Sequence, residues 1–318
     1  MDDETLTAAA LAVFREAMPG KTVVSVDTIT QGWDSLALLV NGRWLLRVAR
    51  RPEVSATLAR EARLLPLIAS AIAPVRVPQF VFTRFDAEPA VVGYEAIEGE
   101  PLTAAALPAS DSPLLVGEGP GVRSLHPLDA IADQLADFLT ALHSIPTERA
   151  IATGLPPTTA ADWHAEYVAF AEWTRTEGGP RLAPDVRDHV LRLWTEYLSA
   201  PESGGFQPVL IHRDLGCEHI LLAKDRSLAG VIDWGDATLG DPAIDFAGIC
   251  GELGEPFTRR LIARWRGPRA AGETDASLLA RAVFYQRLAP LHAIRFGLLT
   301  GADDYVERGM AELADDRL

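Results

Sequence analysis

The stretch Val209-Leu-Ile-His212-Arg213-Asp214-Leu-Gly-Cys217-Glu218-His219-Ile220-Leu-Leu, with Leu228-Ala-Gly-Val231-Ile232-Asp233-Trp234-Gly235-Asp236 behind it, decides how this 318-residue chain is read. Apolar runs of strand type flank two polar clusters. Strands of this kind hold a loop rigid and let it present carboxylates at a cleft. A lone His-x-Asp is common by chance, and a lone Ile-Asp-Trp-Gly is ordinarily a strand end before a turn. Here Asp214 and Asp233 stand nineteen residues apart, and Gly240-Asp241-Pro242-Ala243-Ile244-Asp245-Phe246 follows, so the signals reinforce one another.

Phosphoryl transfer needs few protein parts. One carboxylate orients a hydroxyl and takes its proton, another holds Mg²⁺ on nucleotide phosphates, and a further metal ligand follows the base by a few residues. Asp214 fits the first role, Asp233 the second and His219 the third. Mg²⁺ prefers hard oxygen ligands, so His219 has three open readings: a weak ligand, a ligand through water, or a residue that only orders the loop. The rival chemistry is a metal hydrolase using His212, Asp214 and His219 together. No further His or Cys cluster in the segment supports it. Asp241 and Asp245 read as scaffold carboxylates that cap a helix beginning near Pro242 and brace the loop through backbone N–H groups.

Composition narrows the class. Apolar residues make up 48% and charged residues 23%, the balance of an ordinary globular protein. The formal net charge of −15 disfavours general binding to nucleic acid or anionic lipid and would attract a cationic small molecule. No apolar run approaches a membrane span. Cys217 and Cys250 read as packing residues in a reducing compartment, and Met1-Asp2-Asp3-Glu4 lacks the basic and apolar regions of a secretion signal. Together these predict a cytoplasmic protein. Lysine occurs only at Lys21 and Lys224, so a catalytic cation must be arginine.

Patterning predicts a helix over 6–17 and strands over 22–29, 36–40 and 44–48, with Asn41-Gly42 as a hairpin turn. An amphipathic helix over 54–72 follows, then strands over 79–84 and 90–97. The result is a five-stranded antiparallel lobe with one helix. Residues 103–126 read as a loop or insertion. The rest is mainly helical, over 131–142, 161–174, 184–198, 256–266, 277–299 and 303–314, interrupted by the β-like segment 209–234.

These residues resemble the antibiotic phosphotransferase family. The resemblance rests on His212-Arg213-Asp214 through His219, on Val231-Ile-Asp233-Trp-Gly-Asp236-Ala237 and on Gly240-Asp241-Pro-Ala-Ile-Asp245-Phe246. It implies an α+β, protein-kinase-like fold with a small antiparallel sheet lobe and a larger helical lobe. Histidine at 219 is similar to the macrolide and 2″-aminoglycoside branches. Trp44-Leu-Leu-Arg47-Val-Ala-Arg-Arg-Pro-Glu53 with Glu61-Ala-Arg-Leu-Leu is similar to the macrolide phosphotransferases in particular. By that likeness Arg47 holds the position of the strand lysine that contacts nucleotide phosphates, and Glu61 is its partner. A cation on a strand and a carboxylate on the next helix are also able to meet on physical grounds. Arg213 departs from the small residue usual in the family and places a cation beside the base.

The resemblance implies residues 1–98 as a nucleotide-binding lobe and 99–318 as a helical lobe with the catalytic loop and acceptor site. Ser35, after Gln31-Gly32-Trp33-Asp34, is placed to donate to a phosphate. Tyr94-Glu95-Ala96-Ile97-Glu98-Gly99 looks like the hinge that binds a purine through its backbone, so ATP and GTP both stay open. Substrate candidates are Trp163, Glu166 and Tyr167 on one helical face, together with Asp236. The expected reaction transfers a γ-phosphoryl group, with Mg²⁺, to a hydroxyl of an aminoglycoside or macrolide. Two alternatives remain: a kinase of a metabolite hydroxyl, such as an amino alcohol or sugar, and a non-catalytic kinase-like binding protein. Nothing in the sequence indicates the oligomeric state.

Overall fold

The structure, a computed structural model, describes residues 1–29, 35–103, 114–116, 123–125, 127–200 and 205–315. In chain order the elements are α1 (Asp3–Ala17), β1 (Val26–Ile29), β2 (Ser35–Val40), β3 (Trp44–Ala49), α2 (Pro52–Ile72), β4 (Phe80–Arg84), β5 (Val91–Glu95) and β6 (Glu100–Pro101). Next come β7 (Leu114–Val116), β8 (Arg123–Leu125), α3 (Pro127–His143), α4 (Thr147–Ala152), α5 (Ala160–Trp173) and α6 (Pro184–Ser199). Short strands β9 (Val209–Ile211), β10 (Ile220–Leu222), β11 (Leu228–Val231) and β12 (Thr238–Gly240) precede α7 (Ala243–Arg264), α8 (Asp275–Thr300) and α9 (Asp303–Asp315). No described helix is long and apolar enough to cross a membrane.

Two compact units result, one of Met1–Leu102, Glu148–Leu155 and Glu218–Asp236, the other of Thr103–Thr147, Pro156–Cys217 and Ala237–Leu318. The single division expected between residues 98 and 99 differs from this interleaved one. The reason lies in strand pairing: β10 lies between β11 and β6, and Arg76 bridges to Gly230. The segment carrying His219 and Asp233 is therefore built into the first unit.

The first unit centres on an antiparallel sheet of order β1-β2-β3-β5-β4. Side chains alternate along β3, so Trp44, Leu46 and Val48 face Leu6, Ala10 and Phe14 of α1. The opposite face packs Ala49 and Val92 against Val54 and Leu58 of α2. Two helices, not one, thus cover this sheet. Asn41 and Gly42 both take positive φ (54° and 63°), as a tight hairpin turn requires. The Asn41 side chain accepts from Val24 N–H at 2.7 Å and Ser25 N–H at 3.1 Å and donates to Thr22 O at 2.7 Å. That is why the strand expected from residue 22 begins only at Val26: a side chain, not a ladder, satisfies the preceding backbone.

The second unit is mainly helical. Trp163, Tyr167, Phe170, Trp194, Tyr197, Phe284 and Tyr285 form a buried aromatic cluster of α5, α6 and α8. β9 pairs with β12, which holds the residues on either side of the Asp214 loop's base in register. Helix starts at residue 243 and breaks at Gly254 (φ 78°) before Pro256, so the helix expected over 256–266 is the second half of α7.

Candidate active site

In the first unit, β3 alternation delivers Arg47 to the α2 face, where Glu61 waits one helical turn beyond Leu58. Arg47 Nη1 donates to both carboxylate oxygens of Glu61 at 3.0 Å. Glu61 is 1% exposed and the Arg47 side chain 13%. On its other side Arg47 Nη2 lies 3.8 Å from Asp233 Oδ1, and His219 Nε2 lies 3.8 Å from Asp233 Oδ2. Asp233 is half exposed. Burial opposes the charge on Arg47, but the Glu61 and Asp233 carboxylates outweigh it and raise the guanidinium above its ordinary value. Burial pushes the Glu61 carboxyl up, while the facing guanidinium pulls it back.

Asp233 sits just past β11 with φ +63°, a left-handed backbone that costs an L-residue about 1–2 kcal/mol. Its surroundings enforce that conformation. Ile232 N–H donates to His219 O at 3.0 Å, Trp234 is buried with its indole N–H on Val231 O at 3.0 Å, and Arg60 Nη2 donates to Gly235 O at 2.9 Å. Arg60 had no sequence signal beyond its place beside Glu61.

Mg²⁺ commonly takes one or two protein carboxylates and completes its shell with phosphate oxygens and water. Among the described residues no three of His, Cys, Asp and Glu form a cluster able to hold a metal. Asp233 with His219 beside it is a donor set that would suit a metal carried in on nucleotide phosphates. His212, Asp214 and His219 form no metal-holding cluster either, and His212 is fully buried.

Ser35 opens β2 with a buried hydroxyl that has no hydrogen-bond partner among the described residues. Such a group wants an acceptor, and a phosphate oxygen would supply one. Gln31-Gly32-Trp33-Asp34 lies outside the described residues. Glu95 spends its side chain on Arg43 at 2.9 Å, leaving backbone as its offer to a ligand. Ile97 packs over Gly230. Asp236 is exposed at the end of the same segment.

In the second unit, β9 runs into His212-Arg213-Asp214, and Asp214 is exposed. Asp245, in the first turn of α7, is fully buried. Its two oxygens accept the backbone N–H groups of His212 and Arg213, each at 2.9 Å. His143 Nε2, from α3, lies 3.1 Å from the same carboxylate. Asp241 caps Ala243 N–H at 3.0 Å and accepts from Arg281 Nε and Tyr285 Oη, both at 2.8 Å, and Arg281 also binds Glu273. His143, Arg281 and Glu273 escaped the sequence reading because their partners lie far away in the chain. A histidine between apolar Leu142 and Ile145 is the one local hint.

The expected substrate face changes character. Trp163 and Tyr167 are 2% and 3% exposed, stacked at 5.6 Å inside the aromatic cluster, and the Trp163 indole N–H donates to Tyr285 Oη at 3.0 Å. They are core side chains with no face left for a ligand. Glu166 is exposed and accepts from Arg213 Nη2 at 2.8 Å.

Comparison with known proteins bears on the family and the fold. A family model described as "Phosphotransferase enzyme family" matches residues 25–282. Viomycin phosphotransferase of Streptomyces vinaceus is 30% identical over 138 residues, covering 42% of this chain and 46% of its own length. The GDP complex of aminoglycoside 2'-phosphotransferase-IIIa superposes with a TM-score of 0.81 at 26% identity, covering 99% of this chain and 98% of that one. Macrolide 2'-phosphotransferase type I shares the fold, with a TM-score of 0.75 at 22% identity and 98% of each chain covered.

Proposed function

From the fact that the chain belongs to the phosphotransferase enzyme family and has its small-molecule kinase fold, we propose that it transfers the γ-phosphoryl group of ATP or GTP to a hydroxyl of an antibiotic, an aminoglycoside or a macrolide. The supporting observation is the Arg47 guanidinium, held by both oxygens of a buried Glu61 and turned toward Asp233. A cation fixed in that way is preorganised for phosphate oxygens and loses little freedom on binding them.

In this reading Asp214 orients the acceptor hydroxyl and takes its proton. Asp245 keeps the loop from shifting by occupying the N–H groups just before the base. Arg47 and the Ser35 hydroxyl bind phosphate oxygens, and the backbone of 95–97 binds the base. Asp233, with His219, would hold Mg²⁺, which when bound neutralises charge on the phosphates. The purified protein should consume nucleotide only with Mg²⁺ and an acceptor, tested on aminoglycosides, macrolides and viomycin. Asp214→Asn should lower kcat by about 10²–10⁴-fold while nucleotide KM changes little. Turnover confined to amino alcohols or sugars would make the protein a metabolite kinase, and nucleotide binding without turnover would make it a binding protein.

A further inference from the structure

Arg213 places a cation directly beside the proposed base, a poor location if the acceptor is itself cationic. It also carries φ +72°, a left-handed backbone that a glycine would adopt without strain. The side chain is directed by two contacts within the second unit. Its Nη2 donates to Glu166 Oε1 at 2.8 Å, and its guanidinium lies 5.6 Å from the Trp163 ring centre. Its own N–H is fixed by Asp245. Trp163 is in turn locked by Tyr285. The platform that receives Arg213 is therefore rigid, and Glu166 cancels its charge.

We propose that Glu166 is a positioning residue that neutralises Arg213 and thereby sets how the enzyme discriminates acceptors by charge. This rests on the kinase reading above and deepens it. Glu166 then acts on the acceptor through Arg213 and does not ligate it. A unit charge released about 8 Å from an acceptor ammonium, at an effective dielectric near 40, changes affinity about fivefold. Ions screen such an effect, since the Debye length is about 10 Å at 0.1 M and about 3 Å at 1 M.

The test compares wild type, Glu166→Gln, Arg213→Gly and the double variant. Acceptors are kanamycin and viomycin, each with free and with N-acetylated amines, at 0.05 M and 1 M salt. Glu166→Gln should raise KM for the free-amine form about fivefold relative to the acetylated form, and 1 M salt should erase the difference. Arg213→Gly should lower that ratio by leaving the Glu166 charge uncancelled, and Glu166→Gln in its background should return it to near the wild-type value. A free-amine to acetylated ratio that Arg213→Gly leaves unchanged, or a Glu166→Gln penalty that 1 M salt leaves in place, overturns the proposal. So does a penalty independent of amine charge. Wild-type protein that phosphorylates none of the acceptors defeats the antibiotic reading itself, and this inference with it, whatever the variants do.

Discussion

Replacing Glu61 by glutamine probes the first unit most directly. The side chain keeps its shape and one acceptor oxygen, but the nearly enclosed Arg47 loses its bidentate carboxylate. Removing one partner of a buried ion pair costs about 3–5 kcal/mol. Arg47 retains 13% exposure and a second carboxylate, Asp233, 3.8 Å away, so the low end applies, about 3 kcal/mol. That loss corresponds to roughly 6–12 °C in melting temperature. The released guanidinium would close the gap to Asp233 and occupy the oxygen proposed for the metal. Nucleotide KM should rise more than about tenfold, a change of about 1.4 kcal/mol, and excess Mg²⁺ should recover part of it. Melting followed by circular dichroism and a nucleotide-consumption assay read the two effects separately. The companion variant Arg47→Met in the Glu61→Gln background removes the stranded charge. It should restore part of the melting temperature, since the glutamine at position 61 is then left buried beside an apolar side chain, and none of the nucleotide affinity. If Glu61→Gln melts within about 2 °C of wild type and the companion change brings no recovery, the pair is not the strut assumed here.

Other perturbations have equally definite outcomes. A methyl group at Gly248 would run into the Leu215 carbonyl oxygen and the Gly216 backbone, so Gly248→Ala should displace the loop and depress kcat well beyond its effect on nucleotide binding; unchanged kcat would show the loop to be compliant. Tyr285→Phe deletes the hydroxyl shared by Trp163, Tyr197 and Asp241, and the stranded groups should cost about 1–3 kcal/mol in a urea titration. Chelation of divalent ions should abolish turnover yet leave the nucleotide-free melting temperature within about 2 °C, because the described residues contain no cluster able to hold a metal alone. A large loss of stability on chelation would point to a resident ion.

Local rules made much of the first unit legible. Asn41-Gly42 encodes its turn through two positive φ angles, and strict alternation in β3 puts Arg47 on the face that α2 covers. What a period does not encode is what lies against the face it creates. Trp163, Glu166 and Tyr167 share a helical side, and the same spacing serves a ligand wall or a core. Their neighbours settle it, and these come from elsewhere in the chain: Tyr285 on α8, more than a hundred residues away, for Trp163 and Tyr167, and Arg213 for Glu166. The second helix on the sheet escaped for a related reason: the 6–17 periodicity shows an apolar stripe but not its destination. Side-chain substitutes for backbone pairing, such as Asn41 ending β1 early, are likewise invisible to strand propensity.

Environment, more than residue type, separates Asp214 and Asp233 from Asp241 and Asp245. Asp241 and Asp245 are wholly buried, and each has its oxygens committed to backbone N–H groups or to Arg281, Tyr285 and His143. A carboxylate saturated in that way is unable to exchange partners without leaving a buried donor unmet, which costs about as much as the bond it surrenders. Asp214 and Asp233 are exposed or half exposed, and each follows a short strand whose backbone is clamped from behind. Carboxylates in the second situation are reachable from solvent by a hydroxyl or a metal. In the proposed reaction Asp245 would position the loop of Asp214, and the exposed carboxylates would do the chemistry. Exchanging Asp for Asn should separate the two classes: stability falls at 241 and 245, whereas at 214 and 233 the fold holds and turnover is lost.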